Sequence, residues 1–177
     1  AIQGQIRRIT DMLDEIALVV KGSFIPDKLN RRTVDLSLQC RSLAQELEKQ
    51  SNTPGKYQLD LPDSINVQLD VPIFDNALLH IMRNAARFSD QLVPVVIKLS
   101  HTANTAQLQV IDSGIGILPH ELPHVFEPFF RGSNINERGG IGVGLTIARA
   151  AIEAHGGTIT IDSTLGQGTT VTILLPA

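Results

Sequence analysis

Phe74, Leu78, Ile81, Ala85 and Phe88 recur at helical spacing and give the middle of this chain one continuous apolar face. A helix with such a face has to lay it on a second layer. Material for that layer lies downstream, where the apolar period falls to two. Val93–His101 and Ala106–Ile111 read as strands. Thr158–Asp162 and Thr169–Leu175 close the chain as alternating strands joined by Ser163-Thr-Leu-Gly-Gln-Gly168. Upstream, a short strand at Thr33–Leu36 leads into a helix over Ser37–Gln50, and two more strands are expected near Lys56–Leu61 and Asn66–Asp70. A last helix, Gly144–His155, stops at Gly156-Gly157. Helices interspersed with hairpins predict an α/β protein built as a two-layer α/β sandwich.

At 177 residues and 42% hydrophobic, the chain has material for one good-sized domain plus an appendage. A formal charge of −3 and a pI near 5.9 leave no global basic footprint, so nucleic acid is not an expected partner. One cysteine, Cys40, excludes an internal disulfide framework and suits a reducing, cytoplasmic setting. It shares a helical face with Leu36, Leu43 and Leu47, which makes it a buried core residue rather than a reactive thiol. No apolar run approaches the roughly 20 residues of a membrane span, and no signal peptide is visible.

Residues 1–23 have a different character. Ile2, Ile6, Ile9, Leu13, Ile16 and Val20 alternate steps of four and three, the stripe of a helix that packs on other helices. This N-terminal helix opens without a cap, so a longer parent, membrane-anchored upstream or not, is expected. Residues 24–32 read as a linker, and residues 33–177 as the main domain. Within it Leu118–Gly140 is long and irregular, a length that usually marks function or mobility.

Three motifs carry chemistry. His80, Asn84 and Arg87 lie at i, i+4 and i+7, a polar stripe about a quarter-turn from the apolar face. The Asn84 amide oxygen is a hard ligand of the kind magnesium takes, and Arg87 is placed to reach a phosphate. Taken alone, this stripe reads as an ordinary solvated face. Asp112 ends an apolar strand and is followed by Gly114 and Gly116. Its carboxylate can accept the adenine amino group, while the glycines permit close approach of a flat ring. Taken alone, the same residues make a tight strand-exit turn capped by Asp. Gly139, Gly140, Gly142 and Gly144 run directly into a helix, whose free N-terminal amides suit an anion. Together the three supply what a purine nucleotide and magnesium require.

These residues resemble the catalytic ATP-binding domain of sensor histidine kinases, within the wider ATPase class that includes gyrase and heat-shock chaperones. The resemblance covers roughly Leu69 to Pro176. His80–Ser89 resembles the N box, Asp112–Ile117 the first glycine box, Phe126-Glu-Pro-Phe-Phe-Arg131 the F box, Gly140–Leu145 the second glycine box, and Gly166-Gln-Gly168-Thr169 the closing strand turn. It implies a Bergerat-type fold, a mixed sheet packed against helices. Asn84 would coordinate magnesium, Arg87 contact phosphate and Phe88 border the base. Asp112 would bind the adenine amino group in a pocket shaped by Gly114, Gly116 and Ile117. Gly140, Gly142, Val143, Gly144 and Leu145 would support phosphates and lid motion, Thr169 would lie near the adenine, and Phe130 and Arg131 would border the nucleotide. Leu118–Gly139 would be the ATP lid. Phe126, Phe129 and Phe130 are half of the chain's six phenylalanines, so this segment is apolar enough to anchor the lid or dock a partner helix, or to form local core.

There are two departures from the family pattern. The first N-box residue is commonly Asn and here is His80, whose ordinary pKa near neutrality would let it orient or deprotonate the attacking group or leave it merely polar. No histidine precedes His80, so the phosphoacceptor is missing. His120-Glu-Leu-Pro superficially echoes a phosphoacceptor box but falls in the lid. The expectation is therefore a catalytic half-kinase that binds Mg-ATP and passes the γ-phosphoryl group to a histidine on the dimerisation domain of its parent. That parent would be a homodimer, and a response regulator receiver domain would take the phosphoryl group next. The heptad stripe at Ile2–Val20 would be the end of the second dimerisation helix. An ATP hydrolase of the gyrase or chaperone kind is the first alternative, opposed by the F-box segment and by His80 where those enzymes carry Glu. A non-catalytic nucleotide-sensing module is the second.

Overall fold

The computed structural model describes residue 25 and residues 28–135 and 140–177. The heptad stripe, linker residues 24, 26 and 27, and Gly139 lie outside the described residues. The described elements are β1 (Arg32–Asp35), α1 (Leu36–Ser51), β2 (Tyr57–Asp60), β3 (Asn66–Leu69), α2 (Val71–Phe88), β4 (Val95–His101), β5 (Thr105–Asp112), a 3₁₀ turn (Leu122–His124), α3 (Gly144–Ala154), β6 (Thr158–Thr164) and β7 (Gly168–Pro176).

Five strands form one sheet in the order β2-β4-β5-β7-β6. β2 runs parallel to β4, and every other neighbouring pair is antiparallel, so the sheet is mixed. β1 and β3 pair with each other as a separate antiparallel ribbon. The helices cover one face of the sheet. Along β5, Ala106, Leu108, Val110 and Asp112 are buried, and the residues between them are half-buried. This period of two sends Asp112 toward the helix layer along with the core. Leu36, Cys40 and Leu43 of α1, Phe74, Leu78 and Ile81 of α2, and Ala148 and Ile152 of α3 fill the space between the layers. Burial of about eight such side chains supplies much of the fold's driving force, at roughly 1.5–3 kcal/mol for each large one.

Local chemistry sets the helix ends. The Asp35 carboxylate accepts the N–H groups of Ser37 and Leu38 at 2.9 and 3.3 Å, so β1 passes directly into a capped α1. Pro72 sits in the first turn of α2, where its missing N–H costs nothing. α2 ends at Ser89, whose extended backbone breaks the helix while its N–H still bonds Ala85 O at 3.2 Å.

One buried corner orients the two helices that carry the motifs. His155 Nδ1 donates to Ala151 O at 2.7 Å, and its Nε2 accepts the Asp70 N–H at 3.0 Å. The Asp70 carboxylate accepts the Asn30 N–H at 2.8 Å, and the Arg31 guanidinium donates to Ala154 O at 2.6 Å. The start of α2, the end of α3 and the entry to the domain are thus tied together. With those ends joined, the packed helices run antiparallel, and the polar half of α2 lies beside the first turn of α3.

Candidate functional site

The site is assembled at the other end of the α2–α3 pair. His80 and Asn84 are half-buried on α2, and Arg87 is exposed one turn beyond. A Cβ built on Gly144 would come within 3.0 Å of His80 Nδ1, and one built on Gly140 within 3.3 Å of Arg87 Nη1. The glycine loop therefore passes directly over the polar stripe. The start of α3 and the Arg87 guanidinium thus lie along the face of α2 that also carries Asn84. Each is suited to an anion or to the cation that accompanies it.

Burial lowers the His80 pKa to about 4, with the Arg83 and Arg87 charges acting in the same direction. The sequence expectation of a near-neutral pKa does not hold, because burial against the start of α3 disfavours the charged ring and two arginine charges add to that. His80 is thus a neutral imidazole at physiological pH, able to accept a hydrogen bond and to orient a neighbour. It is a weaker base than free imidazole.

The second half of the site lies where β5 leaves the sheet. Asp112 is only 9% exposed, and its Oδ1 accepts the Gly114 N–H at 2.8 Å. Burial pushes its pKa above the ordinary carboxylate value, against the opposing effects of the Gly114 and Thr169 N–H groups and the Lys56 ammonium. Gly116 needs its lack of a side chain twice over. Its φ is +67°, and a Cβ would collide with the Thr164 carbonyl. A Cβ on Gly114 would overlap the Phe88 carbonyl, so the first glycine box lies flat on the end of α2. Phe88 itself is half-buried there, and its carbonyl accepts the Ile115 N–H at 3.2 Å.

Ser163, which sequence reasoning did not single out, joins the glycine box to the closing strands. Its Oγ accepts the Ile117 N–H at 2.9 Å and donates to Gly168 O at 2.9 Å. With that hydrogen committed, Thr169 Oγ1, 2.9 Å away, donates to Ser163. Thr169 thus sits beside Asp112, its register partner across β5 and β7. The inward parity of Ser163 on β6 was the only signal that could have found it.

The lid segment is folded onto both halves. Asn134 Nδ2 donates to Gly116 O at 2.9 Å, and Glu121 Oε1 accepts the Ser133 N–H at 2.7 Å. The F-box segment wraps on α3. Thr146 Oγ1 donates to Phe126 O at 3.0 Å, the Arg149 guanidinium lies 5.5 Å from the Phe126 ring centre, and the Phe129 N–H bonds Gly142 O at 2.9 Å. Phe130 stacks at a tilt on His124, and Arg131 beside it is exposed. Phe129 stands 53% exposed at a φ of +65°, so it is held outward rather than folded into local core. Val143 is buried and Leu145 half-buried behind the glycine loop. His120 is exposed in a turn ahead of the 3₁₀ segment and lies on no helix.

Residues 70–177 match the family model for histidine kinase-, DNA gyrase B- and HSP90-like ATPases. The chain belongs to that ATPase family. Its relatives point to the kinase branch. It is 29% identical over 170 residues to the sensor protein KdpD of Escherichia coli, covering 96% of this chain and 18% of that protein. It is 30% identical over 176 residues to the sensor-like histidine kinase SenX3 of Mycobacterium tuberculosis, covering 98% and 43%. Among solved structures, a mycobacterial sensor histidine kinase, MprB, superposes with a TM-score of 0.74 at 27% identity, over 82% of this chain and 97% of that one. The chain spans less than half the length of these curated relatives. It is a catalytic ATP-binding domain of the histidine kinase kind, with the α/β fold expected from its sequence.

Proposed function

We propose that this chain binds Mg-ATP and, within its parent protein, transfers the γ-phosphoryl group to a histidine of a dimerisation domain, from which a response regulator receiver domain takes it. The supporting observation is the convergence of the α2 polar stripe with the N-terminus of α3, His80 against Gly144 and Arg87 against Gly140. Phosphoryl transfer asks little covalent chemistry of a protein and much positioning and charge neutralisation. Asp112 would receive the adenine amino group, with Gly114, Gly116, Ile117, Phe88 and Thr169 around the ring. The amides of Gly142, Val143 and Gly144, leading into α3, together with Arg87, would hold the phosphates. The hard amide oxygen of Asn84 fits magnesium, which when bound with ATP supplies further charge neutralisation. His80, neutral, would orient the phosphates or the incoming imidazole by a hydrogen bond. A cytoplasmic place follows from this reading, since both ATP and receiver domains are found there.

Calorimetric titration with Mg-ATP tests the binding step. Micromolar to millimolar affinity is expected, weakened at least about tenfold in Asp112→Asn. Unchanged affinity in that variant would remove the adenine assignment. Mixing the chain with a supplied dimerisation domain tests transfer, and phosphohistidine formation is expected. Tight ATP binding without transfer would leave a nucleotide-sensing module.

A further inference from the structure

Lys56, just ahead of β2, is 6% exposed. Lysine is almost never buried so deeply unless its charge is met. Here the ammonium has three donors and three acceptors: Ser89 Oγ at 3.1 Å, Asp90 O at 2.6 Å and Val93 O at 2.7 Å. All three lie on the segment that carries the chain out of α2, and the backbone of Lys56 holds the far end of the same segment by accepting the Val95 N–H at 2.8 Å. The near end of the segment is Phe88, whose carbonyl accepts the Ile115 N–H at 3.2 Å and against which Gly114 is packed. One buried cation therefore fixes the surface on which the first glycine box, and with it Asp112, rests.

We propose that Lys56 is a positioning residue of the adenine pocket, locking Phe88–Val93 so that Asp112 and Gly114–Gly116 present their adenine-binding geometry before nucleotide arrives. This rests on the reading of Asp112 as the adenine acceptor. The electrostatics agree with the geometry. The Lys56 ammonium acts on the Asp112 carboxylate and favours its ionised form, the form that accepts the amino group. Lys56 faces two carboxylates, Asp90 and Asp112, and both oppose the loss of its own proton that burial promotes. Thr169, the register partner of Asp112 on β7, and Ser163, which its hydroxyl meets on β6, add no charge.

The test is Mg-ATP titration of the whole chain between pH 5 and 8, for the parent and for Lys56→Met, Lys56→Arg and Asp112→Asn. Affinities are expressed as ratios to the parent at each pH, so that the ligand's own titration cancels. Lys56→Met is expected to bind about tenfold more weakly at pH 7.5. On acidification its ratio to the parent should fall further, because without the ammonium the Asp112 carboxylate takes up its proton at higher pH. Lys56→Arg, which keeps the charge but cannot fit three converging acceptors with one planar group, should lose affinity while its acid limb stays with the parent's. A folded Lys56→Met that binds ATP as the parent does, with the same acid limb, overturns the proposal. If Lys56→Met does not fold, Ser89→Ala decides: an affinity about threefold weaker supports the lock, and parental affinity overturns it. Parental binding by Asp112→Asn would instead bring down the assignment of Asp112, a result separable from any result at Lys56.

Discussion

At the scale of single residues, the site is made of groups held away from their ordinary protonation behaviour, and the two main ones pull stability in opposite directions. His80 is lowered to about 4, so its neutral form is favoured in the folded state. Stability from this group is fully present above pH 6.5 and is lost as pH falls toward 4, on the order of 3 kcal/mol in all. Urea unfolding at pH 7 and pH 4.5 should show that loss in the parent and a smaller one in His80→Asn. Asp112 is raised by burial, so its ionised form is disfavoured by the fold. Stability is greatest below the ordinary carboxylate pKa and declines as pH rises through the raised value. The ionised carboxylate, which the proposed adenine contact would use, is thus held at a cost to the fold. Asp112→Asn keeps an oxygen for the Gly114 N–H, so its melting temperature without nucleotide should equal or exceed the parent's even as ATP affinity falls. A variant that melted several degrees lower would contradict this.

Among the elements, the pairing of α2 with α3 matters most, because neither helix alone makes the proposed phosphate site. His155 sets that pairing. It is 2% exposed, bonds both helices and meets the Phe74 ring edge-on at 6.2 Å. His155→Ala leaves the Asp70 N–H buried without a partner and opens a void. A destabilisation of about 2–4 kcal/mol by guanidinium unfolding is expected, with weakened ATP binding in the fraction that remains folded. Loss below about 0.5 kcal/mol would mean that packing alone aligns the helices. The element boundaries themselves were mostly legible in the sequence. The apolar stripe of α2, the alternation of β5 and the Gly156-Gly157 stop after α3 are local patterns, and local patterns report local structure. The parallel β2–β4 pairing and the detached β1–β3 ribbon were not legible, because hydrogen-bonding partners far apart in sequence leave no periodic mark on either strand.

Taken whole, the molecule is two layers around one core, and Cys40 lies at 0% exposure inside it. Burial pushes its thiol up to about 12, so almost no thiolate exists at neutral pH and the sulfur is shielded as well. Labelling by a thiol reagent should be negligible in the native state and should proceed at the rate of global unfolding. Rapid labelling in buffer would show that the helix layer opens independently of the sheet.

The sequence by itself determined the class of the fold and the inventory of the site: Asn84 and Arg87 at helical spacing, Asp112 at a strand end with its two glycines, and a glycine run leading into a helix. Side-chain chemistry and short spacings suffice for that. The tertiary structure decided what these groups are like where they stand. It made His80 a neutral imidazole, set Phe129 outward, tied Thr169 to the glycine box through Ser163, and laid that box on a surface fixed by Lys56. Each of these depends on burial or on partners from distant parts of the chain, and desolvation and through-space contact exist only once the layers have closed.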